Sequence, residues 1–193
     1  MNFVKTWVLG IVNPSRAFDE LINKPAPFWG LWAVLVRFVI TALTSILALR
    51  LLGRLPFEPS YLKFLSNENY YKVEIFFLPV FGLAAWLLAS AVVHLILRIS
   101  GRPSHFDQIL NVTGFGLLIV MPVVWLVDWL FIAFDIYGVN VTPLVHSIIS
   151  LWEVILIGIG LRKAEGVRFW FACLLGVIVK GGVYIPLAII FIR

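Results

Sequence analysis

The chain is short of the features on which soluble and secreted proteins depend. Charged residues make up 13% of its 193 residues, against about 25% in soluble domains, and 62% of the residues are hydrophobic. Its single cysteine, Cys173, stands within an apolar run, so the sequence has neither a disulfide framework nor a Cys/His metal spacing. This composition excludes an ordinary soluble domain and indicates an integral membrane protein.

The motifs of common catalytic and cofactor chemistry are missing as well. The sequence has no HExxH, no GxSxG and no glycine-rich phosphate loop followed by lysine. Its three histidines, His94, His105 and His146, are dispersed along the chain, which argues against a shared metal site. We therefore expect no catalysis, no cofactor and no metal, and an intramembrane enzyme ranks third among the functional hypotheses.

The net charge of +5 does not indicate a nucleic-acid partner. The lysines and arginines stand singly or in pairs at the ends of apolar runs, which is typical of loops beside anionic lipid. We expect the bilayer, with anionic lipids on the cytoplasmic face, to be the main partner. A second copy of the chain or other membrane proteins are the protein partners that this pattern allows.

Five apolar runs are long enough to cross a bilayer. The run 142–161 has twenty residues, and at about 1.5 Å of rise per residue it covers a hydrocarbon core of roughly 30 Å. The sequence predicts an all-α integral membrane fold, a five-transmembrane-helix bundle. Its spans are expected at about residues 29–52, 74–99, 109–134, 142–161 and 169–192, within a transmembrane domain of residues 29–193.

Residues 1–28 are predicted to form short amino-terminal interfacial helices. The first carries Phe3 and Trp7 at helical spacing, and the second begins at Asn13 with Pro14 in its first turn. A further interfacial helix, capped by Ser60, is expected between the first two spans, with two tyrosines at headgroup level after it. These are Tyr70 and Tyr71.

Positive charge is unevenly divided between the two sides of the predicted bundle. Of the fifteen lysines and arginines, eight fall on the side of the amino terminus, five on the other side, and Arg37 and Lys180 within spans. The positive-inside rule therefore predicts a cytoplasmic amino terminus and an external carboxyl terminus. We expect the plasma membrane of a bacterium or archaeon.

Four charged residues fall within the spans. Glu153 and Arg37 are each expected about 12 Å from the inner surface, and Lys180 about 16 Å, so their side chains can meet. A lone carboxylate at mid-bilayer costs something like 3 kcal/mol. Two interpretations stay open: an ion-paired cluster that fixes three helices together, or a proton or ion relay. Asp128 is shallower and is expected to bond a Trp, a Tyr or His146, with Lys180 as another partner within reach.

Two segments resemble a known family. The first is Asn23-Lys24-Pro25-Ala26-Pro27 followed by Phe28-Trp29; the second runs from Phe106-Asp107-Gln108-Ile109-Leu110 through Gly114-Phe115 to Pro122. They resemble the Asp-Leu-x-Gly-Pro motif and the Gly-Tyr motif of the Yip1-domain membrane proteins, with departures similar to those of prokaryotic members. The resemblance implies a cytosolic amino terminus and five closely spaced helices. Eukaryotic members of that family are linked to Rab GTPases and vesicle traffic.

Two functional hypotheses rank above an intramembrane enzyme. The leading hypothesis is a non-enzymatic membrane-organising scaffold that acts through protein or lipid contacts. Its contact surface would be an aromatic and basic belt on the inner face, formed by Trp29, Trp32, Arg102, Arg162, Lys163, Arg168 and Trp170. The alternative is a small transporter or channel that uses Arg37, Glu153 and Lys180. A polar cavity that reaches one surface would favour transport, and a closed cluster would favour the scaffold.

Overall fold

The computed structural model describes residues 2–23, 28–57, 61–62, 64–138 and 141–192. Two short helices, α1 (Phe3–Val12) and α2 (Pro14–Asn23), precede five long ones. The long helices are α3 (Trp29–Leu51), α4 (Asn67–Ile99), α5 (Phe106–Ala133), α6 (Val141–Glu165) and α7 (Phe169–Phe191). Each is long and apolar enough to cross a membrane, and no strand occurs in the described ranges. The predicted all-α, five-span architecture is confirmed.

The amino-terminal helices begin at local capping signals. The side-chain oxygen of Asn2 accepts hydrogen bonds from the backbone N–H groups of Val4 (3.0 Å) and Lys5 (3.4 Å), which satisfies donors that the first turn of α1 leaves free. Pro14 is the first residue of α2, where its missing N–H costs nothing. Both helices form where the sequence predicts them.

The start of α4 differs from the prediction. The helix begins at Asn67, seven residues before the predicted start at residue 74, and Tyr70 and Tyr71 lie inside the bundle. The Tyr70 hydroxyl donates a hydrogen bond to the carbonyl oxygen of Phe191, 2.5 Å away. This contact with the end of α7 stabilises the first turns of α4, whose polar sequence had favoured a loop. None of the described residues 61–62 and 64–66 is helical, so the interfacial helix predicted there was wrong; Ser60 lies outside the described residues.

The bundle has a densely packed basic end and a looser distal end. The basic end holds the last turns of α2 and the short loops 100–105 and 166–168, and the distal end holds the described parts of the loops 52–66 and 134–140. The side chains that fill the basic half are almost completely buried: Phe18, Val112, Phe115, Leu117, Leu118, Leu156, Ile157 and Leu161. A close-packed interior of this kind leaves little room for water.

Helices α1 and α2 pack against the basic half. The indole N–H of Trp7 donates to the carbonyl oxygen of Leu118, 3.1 Å away. Because Leu118 is twelve residues from the start of α5, this contact lies about 18 Å along that helix. At the outer side of α2, the Lys163 ammonium is 2.6 Å from a carboxylate oxygen of Asp19. The two short helices therefore form one wall of the bundle.

Three spans are irregular at or beyond their middle. α3 contains a π-helical segment, Ala42–Ile46, and α7 contains another, Ile178–Tyr184. α5 is interrupted at Val120, between the helical parts Phe106–Ile119 and Met121–Ala133, and Pro122 follows the break. Single π-helical turns occur often at functional sites. All three irregularities contribute side chains to one cavity in the distal half.

Candidate functional site

A cavity of about 280 Å³ opens among all five spans in the distal half of the bundle. Apolar side chains form much of its wall, but ten polar or charged residues also line it. They are Arg37, Thr41, Ser45, Asp128, Tyr137, His146, Ser150, Glu153, Lys180 and Tyr184. The cavity therefore contains every intramembrane charge that the sequence singles out.

Helical spacing brings these side chains to one place. On α3 the cavity-lining residues Arg37, Thr41 and Ser45 are four residues apart, so they share one face. On α6 His146, Ser150 and Glu153 follow the same rule, with spacings of four and three. Such polar stripes within apolar helices are visible in the sequence. They could have pointed to Thr41, Ser45 and Ser150, which sequence reasoning missed.

Glu153 is the centre of an ion-paired triad. Its side chain is 2% exposed, and its Oε1 accepts a hydrogen bond from Nη1 of Arg37 at 2.8 Å. Its Oε2 is paired with Nζ of Lys180. Nη1 of Arg37 also donates to the carbonyl oxygen of Leu117, 3.2 Å away. The structure thus brings together three of the four predicted site residues and links α3, α5, α6 and α7.

Asp128, the fourth predicted residue, lies in a separate cluster toward the distal end. Its Oδ1 is 2.8 Å from Nε2 of His146, and its Oδ2 accepts a hydrogen bond from the Ser45 hydroxyl at 3.3 Å. Of the partners expected for Asp128, His146 is the one that the structure places within hydrogen-bond distance. The His146 side chain is 36% exposed, whereas that of Asp128 is 4% exposed. This cluster connects the cavity to the surface of the bundle.

Tyr184 is a cavity residue that the sequence analysis missed. It is 5% exposed, and its hydroxyl makes no hydrogen bond within the described part of the chain. Nζ of Lys180 lies 5.2 Å from the centroid of its ring. The signal for this residue was its position, four residues after Lys180 and on the same helix face. A buried hydroxyl without a partner is unusual and calls for a ligand or water.

The triad forms the floor of the cavity. Below it, toward the basic end, Phe115, Leu117 and Leu118 of α5 and Leu156 and Ile157 of α6 are each 0 or 1% exposed. The cavity therefore extends from the triad toward the distal end. On the basic side of the triad, packed apolar side chains close the bundle.

The two segments that carry the family resemblance contact each other at the basic end. The rings of Trp29 and Phe115 stack with centroids 5.8 Å apart, and Phe3 packs edge-on against both. Gly114 lies directly against Gly30, and the Gly30 backbone N–H donates to the side-chain oxygen of Asn111 at 2.8 Å.

The remaining residues of those segments have separate positions. Phe28 has a left-handed backbone, with φ of 70°, and is exposed, and Pro122 follows the break in α5. Pro27 lies outside the described residues. The described motif residues therefore include a joint between α3 and α5, and none of Phe28, Trp29, Gly114, Phe115 and Pro122 lines the cavity.

The predicted aromatic and basic belt is only partly available for contact. Trp32 and Trp170 are 56% and 63% exposed, and Arg102, Arg162 and Arg168 are also exposed. Trp29 is half-buried in the aromatic cluster, and Lys163 is paired with Asp19.

Comparison with known proteins identifies a family. The model of the Yip1 domain family matches residues 9–190, which is nearly the whole chain and includes both motif segments. No curated protein and no solved structure is found to match. The family match confirms the resemblance read from the two segments.

Proposed function

The chain belongs to the Yip1 domain family, and on that premise we propose that it is a non-enzymatic multi-pass membrane protein that admits a small polar solute to its charged cavity. This is the role of a small transporter. The observation that carries the proposal is the cavity of about 280 Å³ lined by Arg37, Glu153 and Lys180. Charged residues that face a cavity inside a membrane protein usually belong to a solute or ion pathway.

Packing supports this function over a purely structural role for the triad. An ion-paired triad that only fixes helices would be most stable in a closely packed environment, because a void forfeits the contacts of its lining. Here the triad borders a cavity instead. Two of the three spans that supply its charges contain a π-helical segment, at Ala42–Ile46 and Ile178–Tyr184. Such segments are rare and concentrate at functional sites.

A transporter fits the geometry better than a channel does. The cavity lies on the distal side of the triad, and the basic half is filled by almost completely buried side chains. Solute transfer would therefore need a conformational change that opens the basic side.

A scaffold role is the second candidate, and the exposed part of the belt favours it. Trp32, Trp170, Arg102, Arg162 and Arg168 would contact anionic lipids, a second copy of the chain or another membrane protein from the cytoplasmic face. In this orientation the amino terminus is cytoplasmic and the carboxyl terminus is external, in a bacterial or archaeal plasma membrane. The cavity then opens toward the outside.

Cysteine labelling tests whether the cavity is reached from water. In a Cys173→Ser background, Ser150→Cys should react with a charged, membrane-impermeant methanethiosulfonate added outside intact cells, because Ser150 lines the cavity. Leu151→Cys is the matched control. Leu151 is the next residue on α6, and its 64% exposed side chain is apolar and faces away from the cavity, toward lipid. It should stay unmodified.

Two results would count against the proposal. If Ser150→Cys is as unreactive toward the reagent as Leu151→Cys, in intact and in permeabilised cells alike, water does not reach the cavity. Labelling of Ser150→Cys only after permeabilisation would reverse the proposed orientation while leaving the cavity accessible. Ser100→Cys, exposed in the loop after α4, reports on the basic end in the same experiment.

A further inference from the structure

We propose that the floor of the cavity, formed by Arg37, Lys180 and Tyr184, is a binding site for a small monovalent anion, a carboxylate or a halide. The inference rests on the proposed function, because it names the class of solute that the same cavity would take. Three independent features carry it: the charge of the triad, its unused hydrogen-bond donors, and the size of the space beside it.

The triad carries an excess of positive charge. Two cations, Arg37 and Lys180, are paired with a single carboxylate, that of Glu153. The nearest further carboxylate described on the cavity wall is that of Asp128, which is held by His146 and Ser45 in a separate cluster. The floor is therefore left with one uncompensated positive charge in a medium of low dielectric constant. One negative charge from a ligand would neutralise it.

The triad also has donors to spare. A guanidinium has five N–H donors and an ammonium has three. In the described structure Arg37 donates through Nη1 alone, to Leu117 and Glu153, and Lys180 donates to Glu153 alone. The buried hydroxyl of Tyr184 has no hydrogen-bond partner there either. An acceptor between these three side chains would satisfy all of them, whereas a cation would satisfy none of the N–H groups.

The size of the cavity limits the ligand. Its volume of about 280 Å³ is many times the roughly 10–15 Å³ that a single water molecule needs. That space accepts a halide with part of its hydration shell or a short carboxylate. A dianion would exceed the single uncompensated charge of the floor. We therefore assign the site to monovalent anions.

The relative reaction rates of two charged reagents measure this preference. Ser150→Cys is treated in parallel with a sulfonate-bearing and a trimethylammonium-bearing methanethiosulfonate. The ratio of the sulfonate reagent's rate to the trimethylammonium reagent's rate is compared with the same ratio at Glu68→Cys, an exposed position in the first turn of α4. Local potential raises counter-ion concentration in a charged cleft by tenfold or more. We expect a ratio about tenfold higher at Ser150→Cys than at the reference.

Second substitutions assign the effect to the floor. Arg37→Gln added to Ser150→Cys should lower the ratio toward that of the reference. Tyr184→Phe keeps the ring and removes only the unpartnered hydroxyl, so it should preserve the ratio. Sodium acetate, added at constant ionic strength, should slow modification of Ser150→Cys by the sulfonate reagent because it occupies the site. Tyr184→Phe should weaken this protection. The Tyr184 variant keeps the test valid if the arginine variant fails to fold.

The outcomes separate this inference from the proposed function. If Ser150→Cys reacts readily but with a ratio at or below that of the reference, the cavity is open and the anion site is wrong. If acetate gives no protection in the parent Ser150→Cys protein, the site is wrong as well. If neither reagent reacts, water does not reach the cavity, and the proposed function fails together with the inference.

Discussion

Replacing Glu153 by glutamine should lower the free energy of unfolding by about 3 to 5 kcal/mol. The carboxylate is 2% exposed and is paired with both Arg37 and Lys180. Its removal leaves two buried cations beside each other, which keep their desolvation penalty and lose their attraction to a negative charge. Reversible SDS titration in detergent micelles, followed by circular dichroism, measures the change.

Lys180→Met is the informative control for this prediction. It removes one cation of similar length and leaves Arg37 and Glu153 as a neutral pair joined at 2.8 Å. We expect a cost below about 1.5 kcal/mol, as for volume-conserving substitutions. The triple replacement Arg37→Met, Glu153→Leu and Lys180→Met should recover much of the loss, because no buried charge remains. A Glu153→Gln protein as stable as the Lys180→Met protein would refute the central role of this carboxylate.

The second large effect is expected at the joint between α3 and α5. A Cβ atom at Gly114 would lie 2.5 Å from the carbonyl oxygen and 2.7 Å from the Cα atom of Gly30. These are backbone atoms, so the two helices must separate to accept Gly114→Ala. We expect a loss of about 2 to 3 kcal/mol for alanine, and more for valine. Separation would also stretch the hydrogen bond from the Gly30 N–H to Asn111.

Gly181→Ala provides the matched control. Gly181 is also a helical glycine in a span, but a Cβ added there meets nothing within 4 Å. Alanine should leave stability unchanged or raise it by up to about 1 kcal/mol, since it has the higher helix propensity. Both variants are compared by the same titration. Equal stabilities for Gly114→Ala and Gly181→Ala would mean that α3 and α5 do not approach at Gly114.

The five spans could be predicted because their signal is local. About twenty predominantly apolar residues, bounded by polar or charged ones, specify a transmembrane helix without reference to the rest of the chain. The start of α4 could not be predicted in this way. Residues 67–73 are largely polar, and their helix depends on burial of Tyr70 and on its bond to Phe191 at the other end of the chain.

The candidate site was only partly accessible to the same reasoning. Depth along each helix was enough to put Arg37, Glu153 and Lys180 within reach of one another, because rise per residue is fixed. The cavity beside them depends on how five helices pack, and the π-helical segments depend on backbone hydrogen-bond register. Neither leaves a composition signal. The polar stripe of Arg37, Thr41 and Ser45 was a visible sign of a cavity-facing surface.

Ion flux into proteoliposomes shows whether the charged cavity belongs to a solute pathway. Proton and chloride entry are followed with fluorescent indicators for the parent protein, for Ser150→Phe, which places a ring in the cavity, and for Leu151→Phe, which adds the same ring on the lipid side. If the cavity is a solute pathway, the parent and Leu151→Phe proteins exceed empty liposomes several-fold in at least one flux, and Ser150→Phe does not. Parent liposomes that match empty ones, or an undiminished flux in Ser150→Phe, would contradict it.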